Sequence, residues 1–256
     1  KSCIIYPFIM FHFLLYTSQL IHPVDVLEPH IMPMMPVIAL ASGSPRRREM
    51  LEWTGFDFIT CPADIDESWY AGEAPDVYVA RLAKTKAETA IRLYPDAKAD
   101  FFLAADTTVA DRGEVLGKPV DDVEARRMLV QLRGKAHEAF TALALYRVSS
   151  GEWLFDRCHS WVTMRDYTDE EMEAYIRSGD PLDKAGAYAI QNAGFHPVIG
   201  FNGCFANVKG LPLCHLVRNM RKFGVDSPID TALSCQQHLD YNCPVTRAVL
   251  AGEDVG

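Results

Sequence analysis

Three consecutive arginines stand in the first turn of a short predicted helix, where positive charge is unfavourable. The stretch LASGSPRRREMLEWTG predicts a strand end, a tight turn and a helix over residues 44–53, with Ser44 at the N-cap. The N-terminus of a helix carries partial positive charge and unpaired N–H groups, so guanidinium groups there oppose the helix dipole. A multiply charged anion such as phosphate would reverse that balance. We therefore expect Arg46 and Arg47 to bind an anion, and Arg48 to be a solvated surface residue.

Lys86 falls on the apolar side of a second predicted helix. That helix spans residues 75–94, and Lys86 follows Leu82 by four residues and precedes Ala90 by four, whereas Lys84 lies off this apolar stripe. An ammonium group that leans toward the core needs a partner. The partner is either a structural carboxylate or a bound phosphate.

The stretch FFLAADTTVAD predicts a buried strand that ends in a polar turn, and within it Asp106 ends the apolar part FFLAA and precedes two threonines. Carboxylates at strand ends in α/β proteins lie where ligands collect. An aspartate at such a place either holds a divalent cation or orients and deprotonates a water, unless it only forms a turn with its own backbone. Glu67, in an acidic loop, could supply a second oxygen ligand. Mg²⁺ or Mn²⁺ would suit these hard oxygen donors and a phosphate-bearing substrate.

The elements that position these residues alternate between strands and helices. Capping-box patterns at Asp121 and at Thr168 mark the starts of two further helices, and AFTALALYRV and EWLFDRCHSWVTMRD predict two β-rich segments joined by a turn. A last helix is predicted over residues 212–223. Because βα alternation gives parallel strand pairs and hairpins give antiparallel ones, we expect an α/β fold with a mixed sheet.

Composition and charge limit the classes of function. The chain has 256 residues, 49% of them hydrophobic, and a net charge of -9, so it can bury a substantial core and is unlike a general binder of nucleic acid or anionic membranes. Any anion site must therefore be local. Seven cysteines, an odd number spread along the chain, fit a reducing cytoplasm better than a disulfide framework.

The two ends of the chain are expected to lie outside the main domain. The run CIIYPFIMFHFLLY is too short to span a bilayer, and no small-residue cleavage site follows it. We expect residues 1–35 to be an appendage, with a translation start at Met32, Met34 or Met35. Residues 36–225 would then form the main domain, and residues 226–256, where periodicity is weak, an irregular C-terminal extension.

Three other kinds of site are disfavoured by spacing. The cysteines and histidines of CHLVRNM and CQQHLDYNC suggest zinc, but they lack paired Cys-x-x-Cys spacing, so buried thiols and a surface histidine are the better interpretation. Ser44 has no G-x-S-x-G elbow around it, which argues against a hydrolase triad. A P-loop motif is also absent from the sequence.

Six motifs in order resemble one known family. LASGSPRRREML, RLAKTKA, AADTTV, LGKP, DKAGAYAIQ and NVKGLPL are similar to the Maf family of nucleoside triphosphate pyrophosphatases, over roughly residues 37–224. The resemblance implies an α/β fold related to the inosine triphosphate pyrophosphatases, with a twisted mixed sheet flanked by helices and a cleft between two lobes. It also implies cleavage between the α and β phosphates, which gives a nucleoside monophosphate and pyrophosphate with the help of a divalent cation.

The resemblance further implies roles for single residues. Asp106 matches the proton acceptor that activates water, and Glu67 matches an acidic residue near the metal. The phosphate-binding positions correspond to Ser42, Arg46, Arg47, Lys86 and Lys118. The base-selecting positions correspond to Arg46, Thr107 and Gln191.

Thr107 together with AYAIQ is similar to the branch of the family that acts on dTTP and UTP. An amide at Gln191 can donate and accept at once, which suits the edge of thymine or uracil. The alternatives are the same reaction on 7-methyl-GTP or an inosine-type nucleotide, and a nucleotide-binding regulator of septum formation. Dimers are common in the family, so a homodimer is also expected.

Overall fold

The computed structural model describes residues 35–255, which form strands and helices around one mixed sheet. The strands are β1 (Ile38–Leu40), β2 (Phe58–Thr60), β3 (Phe101–Asp111), β4 (Glu114–Leu116), β5 (Ala136–Arg147), β6 (Glu152–Met164) and β7 (Val198–Asn202). The helices are α1 (Pro45–Glu52), α2 (Pro75–Leu93), α3 (Asp122–Leu132), α4 (Asp169–Arg177), α5 (Phe205–Lys209), α6 (Leu213–Lys222), α7 (Thr231–Leu239) and α8 (Thr246–Leu250).

The sheet is mixed, as the sequence predicts. Its strand order is β2-β1-β3-β5-β6-β7, with β4 beside β3. β1 pairs in parallel with β2 and β3, whereas the later pairs are antiparallel. As predicted, the βα alternation of the N-terminal part gives parallel strand pairs, and the hairpins of the central part give antiparallel pairs.

One edge of β3 is interrupted in the middle of the strand. β5 pairs with β3 along residues 101–110, but on the opposite edge β1 pairs only with residues 101–103 and β4 only with residues 109–111. The predicted strand FFLAADTTVAD is confirmed as β3, and the expectation that Asp106 lies at a strand end is wrong, because the strand continues to Asp111. The change from apolar to polar residues after Ala105 marks instead the point where β3 loses its parallel neighbour.

Apolar packing divides into two lobes at the same point of β3. Toward its start, Leu103 packs with α1 and α6 on one face of the sheet, while Phe102 packs with α2 on the other face. Toward its end, Val109 packs with α3 and α4 in a separate cluster. Residues 106–108 lie between these cores, where a cleft can form without a loss of buried apolar surface.

The predicted helices are confirmed with small differences at their ends. The complete capping box at Thr168 is present, since its side chain accepts from Glu171 N and Glu171 accepts from Thr168 N. At the start of α3, the Asp121 side chain accepts from Glu124 N, as in a capping box. The Glu124 carboxylate, however, accepts from Val120 N, whereas a capping box would have it accept from Asp121 N. Ser44 is the N-cap of α1, yet its side chain makes no capping bond.

The C-terminal segment is more regular than its sequence suggests. The expectation of an irregular tail is wrong, because α7 and α8 form within residues 226–255 and bury Cys235 and Val249. Asp230 caps α7 by accepting from Leu233 N. Helices of nine and five residues are too short to give a clear periodic pattern.

Most of the predicted N-terminal appendage lies outside the described residues. Met35, the first described residue, packs against the cluster that contains Ile38 and Leu40. No helix within residues 35–255 is both long and apolar enough to cross a membrane. The described part also holds no group of three or more histidine, cysteine or acidic side chains arranged to bind a metal ion, in the C-terminal helices or elsewhere.

His137 on β5 makes stability depend on pH. Its side chain is buried, with Nε2 lying 2.7 Å from the Tyr188 hydroxyl oxygen, and burial lowers its pKa from 6.5 to about 4, an effect that Asp111 only partly offsets. Between these two values the unfolded chain binds a proton that the folded chain does not, so stability falls as the pH falls. We expect His137 to lower the free energy of unfolding by about 2 kcal/mol between pH 7 and pH 5.

Urea unfolding at the two pH values measures this effect. His137→Gln keeps a hydrogen-bonding partner for Tyr188 but cannot take up a proton, so its free energy of unfolding should change less between pH 7 and pH 5. An equal pH dependence in the variant would assign the loss to other groups.

Candidate active site

A cavity of about 590 Å³ opens where β3 has no neighbour on one edge. Its walls come from the turn between β1 and α1, from α2, from the middle of β3, and from the segments after β4 and α4. All of the predicted site residues line it: Ser42, Arg46, Arg47, Glu67, Lys86, Asp106, Thr107, Lys118 and Gln191. Residues far apart in the chain therefore meet in a single site.

Arg47 is the most firmly held of the three arginines. Its Nε donates to Gly210 O at 2.8 Å, its Nη2 to Thr107 Oγ1 at 2.9 Å and its Nη1 to Ser42 Oγ at 3.5 Å. Burial lowers the pKa of Arg47, and the neighbouring carboxylate of Asp106 opposes that shift. These acceptors are neutral, and Arg47 forms no ion pair with any residue among 35–255, so its charge stays available for an anion.

Arg46 and Arg48 differ in their placement. Arg46 lines the cavity, and its Nη2 lies 3.4 Å from Asp183 O. Arg48 is exposed and does not line the cavity, which confirms its expected place at the surface. Beside them Ser42 is buried, and its Oγ accepts from Ser44 N at 3.2 Å.

Lys86 bridges two carboxylates at the floor of the cavity. Its Nζ lies 2.5 Å from Asp106 Oδ1 and 2.6 Å from Glu67 Oε1. The position of Lys86 on the buried stripe of α2 is confirmed, and Lys84 is exposed as expected. Of the two partners that the sequence leaves open, a carboxylate is present here.

Burial and charge act differently on the two carboxylates. Burial raises the pKa of Asp106 above its ordinary value, and the attraction of Lys86 and Arg47 only partly offsets this. Burial also tends to raise the pKa of Glu67, but Lys86, Lys118 and Arg47 together lower it below its ordinary value. Asp106 is therefore the stronger proton acceptor of the two.

Lys118 and Lys184 have contrasting surroundings. The Lys118 side chain is 59% exposed and its Nζ lies 3.9 Å from Glu67 Oε2, so it can turn toward a ligand. Lys184 is buried, and its Nζ contacts Asp180 Oδ1 at 2.9 Å and Asp183 Oδ1 at 2.5 Å. The charge of Lys184 is thus compensated within the protein.

Another wall of the cavity is formed by residues 188–191. Gly186 has a φ of +67°, and a Cβ there would come within 2.9 Å of Val109 Cγ1, so only glycine lets this segment approach β3 so closely. Tyr188 and Gln191 both line the cavity, Tyr188 as a buried residue and Gln191 as an exposed one. Of these two side chains, only the Gln191 amide is exposed.

Sequence reasoning missed the groups that hold Arg47 in place. Gly210 O accepts from Arg47 Nε, and Gly210 ends α5 with a φ of +114°, a backbone region that favours glycine. Thr141 on β5 and Asn207 on α5 lie behind Thr107, outside the cavity wall. Gly210 could have been suspected from a glycine just before Leu-Pro, but Thr141 carries no signal within an apolar strand.

The two carboxylates are suited to a Mg²⁺ or Mn²⁺ ion. Lys86 contacts one oxygen of each, Asp106 Oδ1 and Glu67 Oε1, and the exposed Lys118 lies 3.9 Å from Glu67 Oε2, so each carboxylate keeps an oxygen that Lys86 does not engage. Mg²⁺ in nucleotide sites commonly takes one or two protein carboxylates and completes its coordination with phosphate oxygens and water. The donor set therefore fits such an ion.

Comparison with known proteins points to one family and one kind of relative. The model of the family described as Maf-like protein matches residues 37–223. The chain is 45% identical over 187 residues to a dTTP/UTP pyrophosphatase of Geobacter sp. (strain M21), covering 73% of this chain and 95% of that protein. It is 46% identical over 192 residues to a dTTP/UTP pyrophosphatase of Myxococcus xanthus (strain DK1622), covering 75% and 95%.

Proposed function

Since the chain belongs to the Maf-like protein family, we propose that it hydrolyses dTTP and UTP to the nucleoside monophosphate and pyrophosphate. The observation that carries this proposal is the cavity that Arg47 lines together with the buried pair Lys86 and Asp106 and the exposed Glu67. Cationic groups for a triphosphate and a carboxylate for water thus lie within reach of one substrate.

We assign the phosphate chain to the cationic side of the cavity. Arg47 presents a guanidinium that neutral acceptors orient and do not neutralise, which suits a bidentate contact with phosphate oxygens. The other phosphate-binding residues in this proposal are Ser42, Arg46, Lys86 and Lys118. Together they hold the triphosphate in line and stabilise the charge that develops on departing pyrophosphate.

Asp106 is the proposed proton acceptor for the attacking water. Because burial raises its pKa, the carboxylate takes a proton more readily than an ordinary aspartate. Lys86 Nζ lies 2.5 Å from Asp106 Oδ1, and this contact fixes the orientation of the carboxylate. Lys86 can also contact the substrate, because a phosphate oxygen would take the place of Glu67 as a negatively charged partner of its ammonium group.

Asp106 and Glu67 are also the residues that we propose to hold the divalent cation. A bound Mg²⁺ or Mn²⁺ would supply charge neutralisation on the phosphate oxygens. Removal of divalent ions with a chelator would then stop turnover without unfolding the protein.

Base selection is proposed for Arg46, Thr107 and Gln191. Thr107 accepts a hydrogen bond from Arg47, which couples it to the phosphate-binding side, while Gln191 is the exposed end of the wall formed by residues 188–191. The Gln191 amide can offer one donor and one acceptor to a pyrimidine edge of alternating carbonyl and N–H groups.

Gln191→Glu tests this assignment. The substitution keeps the shape of the side chain but removes its donor, so kcat/KM for UTP should fall at least about tenfold. Gln237→Glu is the matched control, because Gln237 is an exposed amide on α7 away from the cavity. Unchanged kcat/KM for every nucleotide in Gln191→Glu would remove Gln191 from base selection.

We expect a homodimer in which residues 36–225 are the catalytic unit and residues 226–256 extend it. We place the protein in the cytoplasm. Support for the reducing compartment comes from the five cysteines of the second half of the chain, which are all thiols: Cys158, Cys204, Cys214, Cys235 and Cys243.

A pyrophosphate-release assay over a nucleotide panel tests the proposed function. The panel contains dTTP, UTP, CTP, GTP, 7-methyl-GTP and ITP, each with Mg²⁺ and with Mn²⁺. We expect the highest kcat/KM for dTTP and UTP. Preference for 7-methyl-GTP or ITP would move the chain to another substrate, and binding without turnover of any triphosphate would favour a regulator of septum formation.

A further inference from the structure

A chain of three hydrogen bonds runs from Arg47 into the protein interior. Arg47 Nη2 lies 2.9 Å from Thr107 Oγ1, which lies 2.9 Å from Thr141 Oγ1, which in turn lies 2.9 Å from Asn207 O. Thr141 is completely buried on β5 and does not line the cavity. A residue that cannot touch the ligand is thus connected to one that lines the cavity.

The direction of each bond follows from the count of protons. The single hydroxyl proton of Thr141 goes to Asn207 O, so Thr141 can only accept from Thr107. The proton of Thr107 is therefore directed inward, and its lone pairs face Arg47, whose guanidinium has donors only. Every hydroxyl in the chain has one defined orientation.

Asn207 belongs to the same turn that holds Arg47 by a second route. Gly210 N donates to Asn207 O at 2.9 Å, and Gly210 O accepts from Arg47 Nε at 2.8 Å. The C-terminal turn of α5 thus fixes both Nε and Nη2 of one guanidinium, directly in the first case and through two threonines in the second. Two fixed points on a planar group define its orientation.

We propose that Thr141 is a positioning residue that sets the orientation of Arg47 for phosphate through Thr107. This inference rests on the proposed function for the identity of the phosphate chain. Without the Thr141 hydroxyl, Thr107 has no inward acceptor for its proton, and its side chain can adopt other rotamers. Arg47 would keep its charge but lose one of the acceptors that hold its plane.

Thr141→Val tests the role of the hydroxyl, since valine has nearly the same shape. The probe is inorganic pyrophosphate with Mg²⁺, titrated calorimetrically into the full chain. We expect the affinity to fall about tenfold, as for the loosening of one charge-assisted hydrogen bond. Asn207 O keeps its bond from Gly210 N, so the variant is expected to fold.

Two further variants separate positioning from general stability. Thr141→Ser retains the hydroxyl and should bind pyrophosphate within about twofold of wild type. Thr231→Val is the matched control, because Thr231 is also buried and lies 2.7 Å from the Ser227 hydroxyl, but on α7 outside the cavity. It should lose thermal stability without losing affinity.

A double-mutant cycle with Arg47→Lys shows whether Thr141 acts through Arg47. Lysine cannot present the fork that Thr107 orients, so Thr141→Val should cause no further loss of affinity in that background. An equal loss in both backgrounds, or wild-type affinity in Thr141→Val alone, would overturn the inference. Should Thr141→Val fail to fold, Thr107→Val interrupts the same chain and must show the same coupling.

The cycle is read from binding, so it is independent of catalysis. If wild type binds pyrophosphate and the cycle shows coupling, but no triphosphate is hydrolysed, the proposed function fails while the role of Thr141 stands. If triphosphates are hydrolysed but the cycle is additive, only the role of Thr141 fails.

Discussion

Asp106→Asn is expected to lower kcat for dTTP and UTP by about 10²- to 10⁴-fold, the usual contribution of a general base. Asparagine keeps the size of the side chain and a hydrogen-bond acceptor for Lys86, but its amide cannot take a proton from water. Substrate affinity should change little, because Ser42, Arg47 and Lys118 are unaltered. Steady-state kinetics together with binding of a non-hydrolysable triphosphate separates the two effects.

The same substitution five residues further along β3 is the control. Asp111 is also buried, and its Oδ2 accepts from Gln131 Nε2 at 3.1 Å outside the cavity. Asp111→Asn should retain kcat within about twofold, the scale of substitutions away from the reacting groups. Near-normal kcat in Asp106→Asn would remove Asp106 from water activation, and equal losses in both variants would indicate a general effect on β3.

Arg47→Lys is expected to lower kcat/KM by about 10²- to 10³-fold, the usual effect of losing one donor to charge that develops in the transition state. The charge is retained, so the loss reports the fork of donors and its orientation. Lysine cannot contact Gly210 O and Thr107 Oγ1 at once while it also faces a phosphate. Both KM and kcat should change, because the same group binds the substrate and stabilises the leaving pyrophosphate.

Arg48→Lys provides the neighbouring control. Arg48 is exposed on the same turn of α1 and outside the cavity, so its replacement should leave kcat/KM within about twofold of wild type. Equal losses in Arg47→Lys and Arg48→Lys would show that the effect does not depend on the contacts that hold the Arg47 guanidinium in the cavity.

Four cavity residues could be predicted from local signals in the sequence, whereas Ser42, Thr107, Lys118 and Gln191 are expected only from the resemblance to the Maf family. Arg46 and Arg47 oppose a helix dipole, Lys86 interrupts an apolar stripe, and Asp106 follows an apolar strand. Each anomaly costs stability unless something compensates for it. Such costs are visible in a sequence without knowledge of the fold.

The partners of these residues could not be predicted, because they depend on contacts between distant segments. Lys86 meets Asp106 across 20 positions and Arg47 meets Gly210 across 163. Thr141 looks like any small residue of a buried strand. Its role follows only from the register that places it opposite Thr107.

Asp106 shows a more specific limit of sequence reasoning. Asp106 is expected at a strand end because it follows FFLAA, whereas it lies inside β3, which β5 pairs along its other edge. Which partner strands a segment has depends on the whole sheet and is not visible in its own residues. A cavity is present at Asp106, and it forms because β3 lacks a partner on one edge there, not because the strand ends.

Phosphorus NMR of the products of dTTP hydrolysis tests the central claim most directly. With Mg²⁺ present, wild type should convert dTTP to dTMP and pyrophosphate in equal amounts, and Asp106→Asn should form neither at a comparable rate. Appearance of dTDP and orthophosphate, or no conversion of dTTP by wild type, would contradict cleavage between the α and β phosphates at this site.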